Sequence, residues 1–242
     1  MDATVGIDVG GTKCLGVLAA ADGTVLAELV LPTPHASELI AQLAAMAREL
    51  GDGLPLGVGV PGLITHDGVI TASPNLKGAH NVPVGPELRK LMGAPVHVEN
   101  DATAAAHGEW QAGAAKGARD ALLVALGTGI GGGIVMGGVL QRGANGFAGE
   151  IGHMTVETEG IECPCGRRGC WERYASGSAL TRLSGGGDRQ PASSDHASER
   201  STARFHSARR PVGEPGSNRA SRAHSPATSS VPDHTPSAIP AR

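Results

Sequence analysis

The chain opens with short runs of apolar residues broken by turns. Thr4–Asp8 is a β-prone run that ends on an acid, and Gly-Gly-Thr-Lys follows. Cys14–Ala20 is a second apolar strand, and Asp22-Gly23 reads as a tight turn into a third, Thr24–Leu31. The period then changes. Leu39, Ile40, Leu43, Met46, Ala47 and Leu50 recur at helical spacing and predict a helix over Ser37–Leu50, with Ser37 or Ala36 near its start. Leu56–Val60 predicts a buried strand ending at Pro61-Gly62, and Glu87–Met92 a short helix. Val96–Val98 is a strand that delivers Glu99-Asn100-Asp101 to a small-residue helix, Ala102–Ala115. Ala121–Leu126 is a strand, Gly127–Gly133 a glycine-rich turn, and Ile134–Met136 a further strand. Strands alternating with helices make this an α/β chain.

The pattern breaks near residue 184. Residues 185–242 contain no Leu, Lys or Met, and their large apolar residues are Phe205, Val212, Val231 and Ile239. Too little apolar surface is present to offset backbone ordering, which predicts a disordered tail. Eight Arg against five acids give this tail +3, so residues 1–184 carry −6 of the chain's net −3. Three origins are open: a natural tail, a linker to an absent domain, or a GC-rich gene read out of frame. The weak acidity argues against a general nucleic-acid or membrane-surface role. With no apolar run near roughly 18 residues and no basic-then-apolar start, the reading is cytoplasmic. The 242 residues suit one large domain or two small ones, with a core of Val, Leu, Ile and Ala because aromatics are 2%.

Two glycine-rich turns bear chemistry. Asp8-Val9-Gly10-Gly11-Thr12-Lys13 lies between apolar strands, and Gly127-Thr128-Gly129 also follows a strand. Glycine lets backbone N–H groups approach an anion closely, and each turn adds a Thr hydroxyl. Neither has the G-x-x-x-x-G-K-[ST] pattern of a Walker loop. Either alone is equally a tight hairpin; two together favour a bipartite nucleotide site. Asp8, at a strand end, is placed to organise a metal ion through water. Asp101 falls at a helix N-terminus, where it is either a cap or a carboxylate that accepts a proton. Asn100 and the Ser73-Pro74-Asn75 turn offer amides to hydroxyl ligands.

Three of the four Cys fall within eight residues, at Cys163, Cys165 and Cys170, ten and more residues after His153. In a cytosolic protein such a cluster reads as a metal site, and Cys₃His is a closed tetrahedral set of the structural zinc kind. The alternative is a group of free thiols. Such an ion stiffens the loop that carries His153, with Glu150 and Glu172 flanking it. Cys14 reads as a small buried apolar residue.

Taken together, Asp8–Lys13, Glu99–Ala102, Gly127–Gly133, Glu150–His153 and Cys163–Glu172 resemble the ROK family of repressors and sugar kinases, most nearly its glucokinases. The resemblance runs from Val5 to Leu183. It implies an actin-like ATPase (ribonuclease H-like) fold of two α/β domains: residues 1–115, then an incomplete second domain, 116–184, bearing a zinc knuckle, then the unrelated tail 185–242. It implies ATP-dependent phosphorylation of a hexose, glucose first, with Asp101 as base. The sugar ligands are Asn75, Asn100, Asp101, Glu150, His153 and Glu172. Asp8, Gly10, Gly11, Thr12, Lys13, Gly127, Thr128 and Gly129 hold nucleotide phosphates with Mg. His153, Cys163, Cys165 and Cys170 hold structural Zn. Hexose and ATP are the partners, with no nucleic acid or membrane; relatives allow a homo-oligomer. Alternatives are another hexose or N-acetylhexosamine, or a non-catalytic sugar-binding remnant. Family patterns expected after Leu183 are not found, so exposed apolar faces over 121–183 and little activity of this chain are expected.

Overall fold

Three antiparallel strands begin the chain: β1 (Ala3–Val9), β2 (Lys13–Ala20) and β3 (Val25–Pro32). In β1 the alternation is physical: Val5, Ile7 and Val9 are buried, while Thr4, Gly6 and Asp8 take the opposite face. Helix α1 (Ala36–Gly51) covers the buried face with Leu39, Leu43, Met46 and Ala47. Each of these leucine and methionine side chains withdrawn from water contributes about 1.5–3 kcal/mol. The helix starts where its period predicts, but its cap is His35, whose ring accepts the Ser37 N–H at 3.4 Å. The chain then returns in β4 (Leu56–Val60), parallel to β1.

The structure, a computed structural model, describes residues 3–185. The expectation of a disordered tail falls on 186–242 and lies outside the described residues.

After β4 come three short strands, β5 (Leu63–Ile64), β6 (Ile70–Ala72) and β7 (His80–Val82), which pair as a small sheet of their own. Their periodicity is too brief to read from sequence. Helix α2 (Val84–Met92) starts three residues earlier than its pattern predicts and stops at Gly93, which takes the left-handed conformation at φ 63°. Strand β8 (Val96–Asn100) completes a five-stranded sheet in the order β3-β2-β1-β4-β8. In its parallel part Asp8 lies beside Gly59 and Gly59 beside Glu99. The carboxyl ends of β1, β4 and β8 therefore open on one edge, where α/β sheets present their ligands.

Helix α3 (Asp101–Gln111) follows without a break. It is shorter than the predicted Ala102–Ala115, because residues after Gln111 turn back to seat the Trp110 indole N–H on the Ala118 carbonyl at 2.9 Å. Strands β9 (Ala121–Leu126), β10 (Ile130–Met136) and β11 (Val139–Gln141) form the third sheet. Half of the predicted glycine turn is thus strand: Gly131–Gly133 pair with Leu123–Ala125. A Cβ added at Gly131 would lie 2.8 Å from that of Ala102, and one at Gly133 would overlap Ala106. These glycines let α3 lie directly on β10.

Beyond β11 the chain turns through a single helical turn at Ile151–His153 into the cysteine loop, then α4 (Glu172–Ala175) and α5 (Gly177–Leu183). Apolar side chains over residues 121–183 stand in solvent, among them Leu126 of β9 at 61% and Leu183 of α5 at 71% exposure. Gly133→Ala is expected to cost about 1–3 kcal/mol in denaturant unfolding by overpacking Ala106. Gly57→Ala, where an added methyl meets nothing within 4 Å, is the near-neutral control.

Candidate active site

Asn100 and Asp101 divide the end of β8 between them. Asn100 is the cap of α3: its Oδ1 accepts the Thr103 N–H at 2.9 Å, and its Nδ2 donates to the Gly62 carbonyl at 3.1 Å. Asp101 is therefore freed from capping and is the first helical residue, its Oδ1 accepting the Ala102 N–H at 2.8 Å. The helix dipole favours its ionised form, yet burial holds its carboxyl above the ordinary carboxylate value, and nearby Asp8 adds to the rise. Burial likewise raises Asp8 and Glu150; for Glu150, His153 opposes the rise while Asp101 and Glu172 add to it.

These acids line one cleft of about 1800 Å³. Asp8, Gly10 and Gly11 come from the first hairpin, Asn100 and Asp101 from the first sheet's edge, and Asn75 from the turn between β6 and β7. Gly127, Thr128 and Gly129 face them, with Glu150, His153 and Glu172. Thr12 and Lys13, expected with this group, are exposed and do not line the cleft.

Both glycine turns are braced from behind. Gly10 N–H donates to the Lys13 carbonyl at 2.9 Å, and the Thr33 hydroxyl donates to the Gly10 carbonyl at 2.6 Å. In the second turn the Gly177 N–H donates to the Gly127 carbonyl at 2.8 Å and the Ser178 N–H to the Thr128 carbonyl at 3.3 Å. Among the described residues, the N–H groups of Gly11, Thr12, Thr128 and Gly129 donate to no protein acceptor. Free amides at a tight turn are the donors an anion requires.

The cysteine loop closes on His153. Its Nδ1 lies 3.6 Å from Cys163 Sγ, and Cys165 Sγ lies 3.6 Å from Cys170 Sγ. All four ligand atoms fall within 4.8 Å of one another. A tetrahedral zinc with bonds of about 2.3 Å to sulfur sets sulfur pairs roughly 3.8 Å apart, so the set fits the ion. Burial pushes the Cys163 thiol up to about 12, so a cation must displace its proton. The other ring nitrogen, Nε2, lies 3.8 Å from Glu150 Oε2, and Glu172 Oε1 lies 3.6 Å from Nδ1. Glu172 also reaches the second turn, with Oε2 3.5 Å from the Ile130 N–H. Cys14 is fully buried and apart from this loop, as its sequence context suggested.

Sequence reasoning missed two residues of the cleft. Ser73 Oγ is buried without a hydrogen-bond partner among the described residues. Its place beside Asn75 in a polar turn was the available signal. Arg142 lies beside Glu99 and also lines the cleft. It had no signal, because the pairing spans 43 residues.

Residues 4–210 match the sequence profile of the ROK family. The chain belongs to the ROK family. The match passes Leu183, where the motifs end, so residues 185–210 fall within it. The glucokinase of Streptomyces coelicolor is 40% identical over 187 residues, covering 75% of this chain and 59% of that protein. The xylose repressor of Bacillus subtilis is 37% identical, covering 74% of this chain and 49% of the repressor. Among solved structures, a ROK family glucokinase from Streptomyces griseus in complex with glucose and AMPPNP superposes with a TM-score of 0.67 at 38% identity, over 74% of this chain and 59% of that one. The chain thus spans about three fifths of the glucokinases it matches, and its fold is that of the actin-like ROK kinases.

The raised acids have a measurable consequence. A carboxyl whose folded pKa exceeds its unfolded value contributes stability at low pH that is lost as pH rises through the folded value. Asp101→Asn is therefore expected to melt higher than the parent at pH 7 without magnesium. The difference should narrow as pH falls toward the ordinary value of 3.8. Thermal melts across that range check it.

Proposed function

We propose that this cleft is the acceptor and phosphate site of an ATP-dependent hexose kinase, with glucose the first acceptor to test. The observation that carries this reading is the meeting of Asp101 with two amide-bearing glycine turns and the His153–Glu150–Glu172 group in one cavity. We take residues 1–115 as one lobe and 116–184 as part of a second.

A cleft rich in carboxylates asks for ligands that donate hydrogen bonds, and sugar hydroxyls do so. In this reading Asn75, Asn100, Glu150, His153 and Glu172 orient the hexose ring. Asp101 holds the attacking hydroxyl and accepts its proton late in transfer; its raised pKa suits that exchange. The amides of Gly11, Thr128 and Gly129 face the phosphoryl groups, and Asp8 orients the hydrated cation. Magnesium, when bound, neutralises charge that builds on the phosphates. Zinc held by His153, Cys163, Cys165 and Cys170 has no open ligand position, so its role is to fix the His153 ring. The repressor relative makes a non-catalytic sugar-binding role the second reading. The open amides of both turns favour phosphoryl transfer, because a sugar needs no phosphate cradle.

Calorimetric titration of the 242-residue chain against glucose, other hexoses and N-acetylhexosamines tests the acceptor site, with a coupled assay for transfer. Glucose is expected to bind best, and Asp101→Asn to lower any transfer by about 10²–10⁴-fold. Sugar binding without any binding of magnesium–ATP supports the second reading, and no binding by any sugar overturns both. Metal analysis is expected to find one zinc per chain. Cys170→Ala should lose it and weaken sugar binding while leaving the first sheet folded. Full sugar affinity in the zinc-free chain contradicts the positioning role.

A further inference from the structure

Glu99 is the one charged side chain among the described residues that is buried, at 7% exposure. A buried carboxylate is costly unless its oxygens are partnered. Both are. Oε1 accepts the N–H of Asn100 at 3.1 Å, and Oε2 accepts the Arg142 Nε–H at 2.5 Å, with His97 Nε2 at 3.7 Å. The acid's own tendency to rise with burial is outweighed by these donors, and its carboxyl is held below the usual range.

The two partners belong to different parts of the cleft. Asn100 is the cap that turns β8 into α3 and sets Asp101. Arg142 follows β11 and opens the segment that ends at Glu150. That segment is closed on itself, the Ala148 N–H donating to the Arg142 carbonyl at 3.0 Å. It is also pinned to the turn between β5 and β6, with His66 Nε2 3.1 Å from the carbonyls of Gly143 and Ala144.

We propose that the Glu99–Arg142 ion pair is a positioning strut, fixing the Asn100–Asp101 turn against the loop that presents Glu150 and His153. Neither residue touches the reacting atoms. The pair sets the separation between the proposed base and the proposed sugar ligands. Its geometry stands without the kinase reading, and only its effect on hexose affinity rests on that reading.

Hydrogen–deuterium exchange on the full chain tests it with Arg142→Met, Arg142→Lys and Glu99→Gln. Opening the strut is expected to speed exchange about tenfold at residues 100–103 and 148–153, leaving α1 unchanged. Arg142→Lys should restore part of the protection. Glu99→Gln combined with Arg142→Met should be no worse than either alone. Hexose affinity should fall with the same order and the same rescue. Unchanged exchange in both segments overturns the strut, as does a uniform rise that includes α1. Should Arg142→Met lose its cooperative melt, Glu99→Gln and Arg142→Lys carry the comparison, since both keep side-chain volume. If the parent binds no hexose, the kinase reading fails while the exchange pattern still decides the strut.

Discussion

The close seam between α3 and β10 sets the rest of the molecule. Ala102 and Ala106 meet Gly131 and Gly133 so directly that a methyl on either glycine would collide with the helix. On the other face of β10, a Cβ at Gly132 would lie 2.6 Å from Ile151 Cδ1 and 2.8 Å from the Gly149 carbonyl. One strand of small residues thus brings the start of α3, the second glycine turn and the loop of Glu150 within reach of one another. Packing of this density leaves little room for relaxation, so the seam fixes relative positions as well as stability. The close approach of α3 to β10 sets Asp101 on the cleft wall across from the second glycine turn.

Against this rigid frame the cleft accumulates unfavourable charge. Asp8, Asp101 and Glu150 are all raised by burial, and Asp101 and Glu150 each feel another acid as well. Some of this charge is answered locally: Glu150 lies 3.8 Å from His153, and the neighbouring acid Glu99 is paired with Arg142. A site that concentrates like charge is less stable than one neutralised, and such sites mark function more often than structure. The Cys₃His cluster belongs to the same logic. It braces the loop that carries His153 without entering the cleft's acid–base work.

Much of this was legible in the sequence, and for physical reasons. β4 alternates Leu and Val with glycine, β9 is a six-residue apolar run, and α1 has a full helical stripe, so period alone located them. The motif residues Asp8, Asn100–Asp101, Gly127–Gly129 and the cysteine loop also meet in one cleft. What escaped was non-local or brief. Strands β5, β6, β7 and β11 are two or three residues long and carry no period. Gly131–Gly133 look like turn residues because composition cannot distinguish a glycine that bends from one that admits a helix. Asn100 took the cap that position alone would assign to Asp101. Lys13 reads as a phosphate ligand by type, yet pairing with Pro32 at the start of β2 leaves it outside the cleft.

The proposed base and both glycine turns meet in one cleft. Backbone amide NMR of the full chain, titrated with glucose and then with a magnesium–ATP analogue, tests this most directly. Glucose is expected to shift the amides of Asn100–Ala102 and of Glu150–His153. The nucleotide analogue is then expected to shift Gly11, Thr128 and Gly129 together. Shifts confined to one turn, or lying away from Asp101, would contradict it.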